Sequence, residues 1–160
     1  IQHCRKNDIP VLGLCYGLQL MVVEFARNEL GIDATSAEFG EENQQFVVKQ
    51  MPNQENIEQK GGTMRLGSYT AELEGQVQEI YGSEEVNERH RHRYEVNPEY
   101  HDELEENSLK ISGKTQNGDL TEYIEIEDHP FFIGTQAHPE FNSTFQKPNP
   151  LYHAFIKTLN

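Results

Sequence analysis

Val11-Leu12-Gly13-Leu14-Cys15-Tyr16-Gly17-Leu18-Gln19 runs from an apolar stretch into a cysteine with a glycine two residues away on each side. Leu18, Val22, Ala26 and Leu30 then form one helical stripe, widened by Met21 and Phe25. The pattern predicts a strand over 9–14, a sharp turn at Cys15 and a helix over 18–30. Gly31 is placed to end that helix, with Ile32 as its apolar follower. The glycines are expected to free the backbone beside the cysteine from Cβ restrictions. A thiol at a helix N-terminus meets the positive end of the dipole, which favours thiolate. The reading is a nucleophilic cysteine and acyl-transfer chemistry.

Outward from this elbow, residues 1–7 resemble the end of a helix. Residues 33–43 form a polar loop carrying Ser36-Ala37-Glu38-Phe39, and 46–51 read as a strand. After the polar stretch 52–60, Gly61-Gly62-Thr63-Met64-Arg65-Leu66-Gly67 opens a strand to about residue 73. Residues 86–96 alternate, with Val86, Glu88, His90, His92, Tyr94 and Val96 on one face. A short helix is expected over 98–106, and a hairpin of 109–114 with 120–127 around Asn117-Gly118. A buried strand over 131–137 leads into His138-Pro139-Glu140. A last helix over 150–159 starts at proline and turns Leu151, Phe155, Ile156 and Leu159 inward. There is no internal repeat.

The 160 residues suffice for one domain with a real core. A formal net charge of -14 disfavours nucleic acid and anionic membranes as partners. Two cysteines, Cys4 and Cys15, do not make a disulfide framework, so reduced thiols in a cytoplasmic setting are expected. No apolar run approaches membrane-spanning length, and no signal-peptide pattern is visible. The chain starts at Ile1 without methionine, and a strand over 9–14 needs neighbours on both sides. A piece of a longer polypeptide is therefore expected.

A cysteine nucleophile needs a base in hydrogen-bond reach and a group that orients the base. His138 and Glu140 follow a strand, lie two residues apart and flank a proline that stiffens their spacing. The roles read as Cys15 nucleophile, His138 general base then acid, and Glu140 orienting carboxylate. The Tyr16 amide is a candidate oxyanion donor; no second donor is found upstream in this sequence. A lone cysteine beside glycines is often a core residue, and a lone strand-end histidine is more often structural. Their combination favours the catalytic reading.

Glu88-Arg89-His90-Arg91-His92-Arg93-Tyr94-Glu95-Val96 is the second unusual segment. Two histidines at i, i+2 could ligate a metal, but no cluster of known spacing completes a site, so none is expected. The arginines suit anion recognition, against the alternative of a salt-bridged surface strand.

The segment Cys15 to Gln19 and His138-Pro139-Glu140 resemble the nucleophile elbow and the His/Glu pair of the class I, triad-type glutamine amidotransferases. Residues 61–67 and 88–97, with Gln136 to Phe141 and Glu38-Phe39, look like signature segments of the CTP synthases within that class. The resemblance implies an α/β fold, class I glutamine amidotransferase-like, with a mostly parallel central sheet flanked by helices and antiparallel edge strands. It implies that residues 1–160 are the C-terminal part of a glutaminase domain, the start of that domain and the synthetase domain being absent. Catalysis falls to Cys15, His138 and Glu140. Glutamine binding falls to Tyr16, Gly17, Leu18, Gln19, Glu38 and Arg93, with Tyr94 as a possible further contact.

The substrate implied is L-glutamine. The ammonia released serves a synthetase domain of the same polypeptide, which converts UTP to CTP with ATP and Mg. GTP is the implied allosteric activator, and the full-length enzyme is expected to form homo-oligomers. This stretch itself is expected to hold no cofactor and, isolated, to hydrolyse glutamine poorly. Tyr16 and Leu18 replace the more usual Leu and Met, and Ala137 replaces an aromatic residue. The competing readings are a non-catalytic regulatory module that keeps the fold, another triad-type amidotransferase, and a γ-glutamyl hydrolase.

Overall fold

The computed structural model describes residues 1–41, 43–50 and 64–159. A short helix α1 (Gln2–Lys6) precedes β1 (Val11–Leu14), which turns at Cys15 into α2 (Tyr16–Phe25). Cys15 itself takes the positive φ of the turn, at φ 50° and ψ -101°. The two glycines therefore differ from their expected role. A Cβ on Gly13 would run into Met21 Sδ and stand 2.9 Å from the Gly17 carbonyl carbon, so Gly13 permits close helix–strand approach. A Cβ on Gly17 would meet nothing. Past Phe25 the helix widens into a π-helical turn, Ala26–Leu30, and stops at Gly31 with φ 70°, the left-handed end predicted for it.

The strands are β2 (Ala34–Ser36), β3 (Gln45–Gln50), β4 (Arg65–Leu73), β5 (Glu85–His92), β6 (Tyr94–Val96), β7 (Lys110–Thr115), β8 (Thr121–Glu125) and β9 (Phe132–Thr135). One sheet has the order β1-β9-β8-β7-β4-β5, and a second the order β2-β3-β6. Between and after them come α3 (Gly75–Tyr81), α4 (His101–Glu106) and α5 (Pro150–Lys157).

The α/β class, a sheet flanked by helices, is as expected. The balance of strand directions is not. In the larger sheet β1 and β9 are parallel, and every other pairing is antiparallel. For β7 and β8 the cause is the tight turn at Asn117-Gly118, with Gly118 at φ 76°, which can join only antiparallel neighbours.

Alternation along β9 divides the core. Phe132 faces α2 and packs with Leu18, Met21, Val22, Phe25, Val48 and Val96. Phe131 and Ile133 face the other way, onto Val77 of α3 and Leu151 of α5. Each such side chain, fully buried, contributes roughly 1.5–3 kcal/mol.

The expected single strand over 86–96 is two strands. Glu88, His90 and His92 are buried and Arg89 and Arg91 exposed, as alternation requires. At Arg93 the chain leaves the first sheet, and Tyr94–Val96 joins the second beside β3. Both faces of this short strand are covered, so Glu95 is fully buried along with Val96.

The last helix also departs from expectation. Leu151 is buried, but Ile156 and Leu159 are exposed. Ile156 is one residue past the Leu151/Phe155 face, and Leu159 lies beyond the helix end. The expectations over 52–60 and on Gly61-Gly62-Thr63 fall outside the described residues. Among the described residues no helix is long and apolar enough to cross a membrane.

Candidate active site

β1 and β9 run side by side and pair Leu14 with Thr135 at their C-terminal ends. The Cys15 amide donates to the Thr135 carbonyl at 2.7 Å, extending the ladder by one step. His138 follows three residues later. Thiol and imidazole are thus carried at the same end of two adjacent parallel strands, where open α/β sheets place their ligands.

The thiol is half-buried. Its Sγ receives the Tyr16 backbone amide, and Gln136 Nε2 at 3.7 Å. Burial nevertheless pushes its pKa up, and the charges of Glu95 and Glu140 act in the same direction. This direction is opposite to the one expected from the helix dipole, because desolvation outweighs the amide contact. Deprotonation therefore depends on a nearby base.

His138 Nδ1 lies 2.6 Å from Glu140 Oε1. The turn holding them, Pro139–Asn142, is a 3-10 helix with proline at its start. Tyr152 of α5 donates to Glu140 Oε2 at 3.4 Å. The His138 amide donates to the Arg89 carbonyl on β5 at 2.8 Å.

A cleft of about 730 Å³ opens over the thiol. Cys15, Tyr16, Gln19, Glu38, Arg93 and Tyr94, all singled out in the sequence, line it together with Phe39, Met64, Arg91 and His92. Leu18 instead lies in the core at 0% exposure, and neither it nor Gly17 lines the cleft. His138 and Glu140 stand outside the lining too. The Tyr94 carbonyl accepts from Gln19 Nε2 at 2.8 Å, tying two of these lining residues together. Gln19 continues to Gln136 Oε1 at 3.3 Å. Gln136, not singled out as a site residue, thereby links the cleft wall to the thiol.

Beneath the cleft lies a buried polar network. Arg65 reaches Glu95 at 3.2 Å and Glu122 at 2.7 Å, and its guanidinium stacks 4.4 Å from the Tyr69 ring centre. His92 Nε2 meets Glu95 Oε1 at 2.8 Å. Burial, opposed by Arg65, raises Glu122 to about 7. Burial, reinforced by the Arg65 charge, lowers His90 to about 2, so this imidazole is neutral. Among the described residues no group of three or more His, Cys, Asp or Glu is arranged to hold a metal ion.

The pattern of the glutamine amidotransferase class-I family matches residues 1–158. The chain is 51% identical over 159 residues to the CTP synthase of Methanococcus maripaludis, and 54% over 160 to that of Methanocaldococcus jannaschii. Each alignment covers 98% of this chain and 30% of the relative, so the chain spans under a third of the curated relatives' length. Among solved structures, the acivicin-bound glutaminase domain of Trypanosoma brucei CTPS superposes with a TM-score of 0.90 at 38% identity, over 98% of this chain and 62% of that one. A putative GMP synthase protein from Thermoplasma acidophilum shares the fold, with a TM-score of 0.60 at 16% identity over 98% of this chain and 60% of that one. On the match across residues 1–158, the chain belongs to the class-I glutamine amidotransferase family.

Proposed function

We propose that this domain hydrolyses L-glutamine to glutamate and ammonia within a CTP synthase. The observation that carries the reading is the placement of Cys15 and the His138–Glu140 pair at the ends of neighbouring parallel strands.

With Nδ1 of His138 engaged by Glu140, Nε2 is the nitrogen left to take the Cys15 proton. The thiolate attacks the side-chain amide carbon, and the Tyr16 amide stabilises the oxyanion. His138 returns the proton to the amide nitrogen, ammonia departs and a thioester remains. Water, deprotonated by His138, cleaves the thioester and releases glutamate. Glu38 and Arg93 on the cleft wall supply an acidic and a basic partner for the α-ammonium and α-carboxylate of the substrate. Tyr16, Gln19 and the backbone of Tyr94 shape the wall between them.

The ammonia is used by a synthetase domain of the same polypeptide, which makes CTP from UTP with ATP and Mg. GTP stimulates the glutaminase step, and the full-length protein is a cytoplasmic homo-oligomer.

The test is labelling of the full-length protein with an electrophilic glutamine analogue, followed by peptide mapping. Modification of Cys15 and not Cys4, with loss of glutamate release, is expected. An unlabelled Cys15, or unchanged hydrolysis in Cys15→Ala, sinks the reading in favour of a non-catalytic module.

A further inference from the structure

Glu88 is a buried carboxylate, 3% exposed, on the inward face of β5. The donors found on it are neutral and come from three separate elements. Tyr81 at the end of α3 donates to Oε1 at 3.1 Å. Asn149, the residue before α5, donates to the same oxygen at 2.6 Å. Asn142, the last residue of the catalytic turn, donates to Oε2 at 2.6 Å. A buried anion is retained only when its oxygens are saturated, and bonds to a charged acceptor are the stronger kind.

What these donors carry decides the role. Asn142 closes the turn Pro139–Asn142 that bears Glu140, and it also donates to the Asn87 carbonyl at 3.2 Å. The other end of that turn is fixed by the His138 amide on the Arg89 carbonyl. The turn therefore rests on three consecutive residues of β5, and Glu88 supplies the side-chain anchor. Asn149 caps α5 by accepting from the Leu151 amide at 2.9 Å, and α5 carries the Tyr152 hydroxyl that reaches Glu140. Both elements that touch Glu140 thus meet on one carboxylate. Glu140 itself is 45% exposed in its side chain, and local packing alone does little to hold it.

We propose that Glu88 is a positioning residue for glutamine hydrolysis, bracing the turn and the helix that aim Glu140, and through it His138. The role rests on the glutaminase reading. It acts on the chemical step and not on substrate capture, because Tyr81, Asn142 and Asn149, the side chains it holds, do not line the cleft.

The experiment compares Glu88→Gln and Asn142→Ala with the parent in the full-length protein. Glutamine turnover is measured alongside product formation driven by added ammonia, which bypasses the glutaminase site. In Glu88→Gln an NH2 group faces amide donors. Asn149 cannot flip without losing its cap, and Asn142 cannot flip without losing the Asn87 contact. A fall in kcat on the order of 10²-fold is expected, the scale of a small misplacement of a catalytic group. KM for glutamine should stay within about twofold and the ammonia-driven reaction should be unchanged. Asn142→Ala, which leaves the buried carboxylate in place, should show the same split and decides alone if Glu88→Gln does not fold. Parent-like kcat in both variants overturns the role, as does a joint fall of kcat, ammonia-driven activity and glutamine affinity. A parent that releases no glutamate overturns the glutaminase reading, and this role with it.

Discussion

His138 Nδ1 and Glu140 Oε1 stand 2.6 Å apart across a single proline, a contact that directs the opposite nitrogen of the ring away from the carboxylate. Replacing Glu140 by Gln keeps the size but removes the charge that stabilises an imidazolium. Glutamine hydrolysis should fall by about 10²-fold or more, within the range assigned to general acid–base catalysis. Steady-state glutamate release checks this, and a loss under threefold would remove Glu140 from the mechanism.

Burial holds the Cys15 thiol above the ordinary thiol pKa. Alkylation of Cys15 by a small neutral reagent, in the absence of glutamine, should therefore rise at higher pH than alkylation of a free cysteine. Rates measured by mass spectrometry across pH 6–10 test this; a plateau reached below the ordinary thiol range would contradict it.

Glu122 titrates near 7 in the fold against an ordinary 4.5, so folding favours its neutral form. Its contribution to stability is complete below pH 4.5 and is lost as the pH rises through 7. A Glu122→Gln variant imitates the neutral form beside Arg65 and His90, and should gain stability relative to the parent between pH 5 and pH 8. Urea midpoints at several pH values supply the comparison. A constant difference across that range would count against it.

The two glycines of the elbow should respond oppositely to alanine. Gly13→Ala drives a methyl group into Met21 and the backbone of α2, a cost of about 1–3 kcal/mol. Gly17→Ala meets nothing and sits in the first turn of α2, where alanine is favoured by up to roughly 0.5–1 kcal/mol, the helix-interior figure. Equilibrium unfolding of both variants decides; equal effects would refute the packing account.

What was legible in the sequence was local. The cysteine elbow, the His-Pro-Glu turn, the hairpin at Asn117-Gly118 and the stop at Gly31 each depend on a few adjacent residues whose chemistry permits little else. The change of sheet at Arg93 was hidden, because alternation records which way side chains point and not which strand is the neighbour. α3 shows no helical stripe in the sequence, because Val77 is its only buried residue. The Arg65–Glu122 pair joins positions 57 apart in sequence, and Gln136 reaches Cys15 from 121 away. Periodicity carries no trace of such contacts.

The residue that performs the proposed chemistry is also the one that bends the chain. Cys15 holds a positive φ that costs a residue with a side chain about 1–3 kcal/mol and a glycine almost nothing. Under selection for activity that strain is tolerated. In a lineage where the activity was no longer needed, stability alone would favour glycine at this position. A descendant with Gly at the elbow would carry, in one substitution, both the loss of its nucleophile and the relaxation of its backbone.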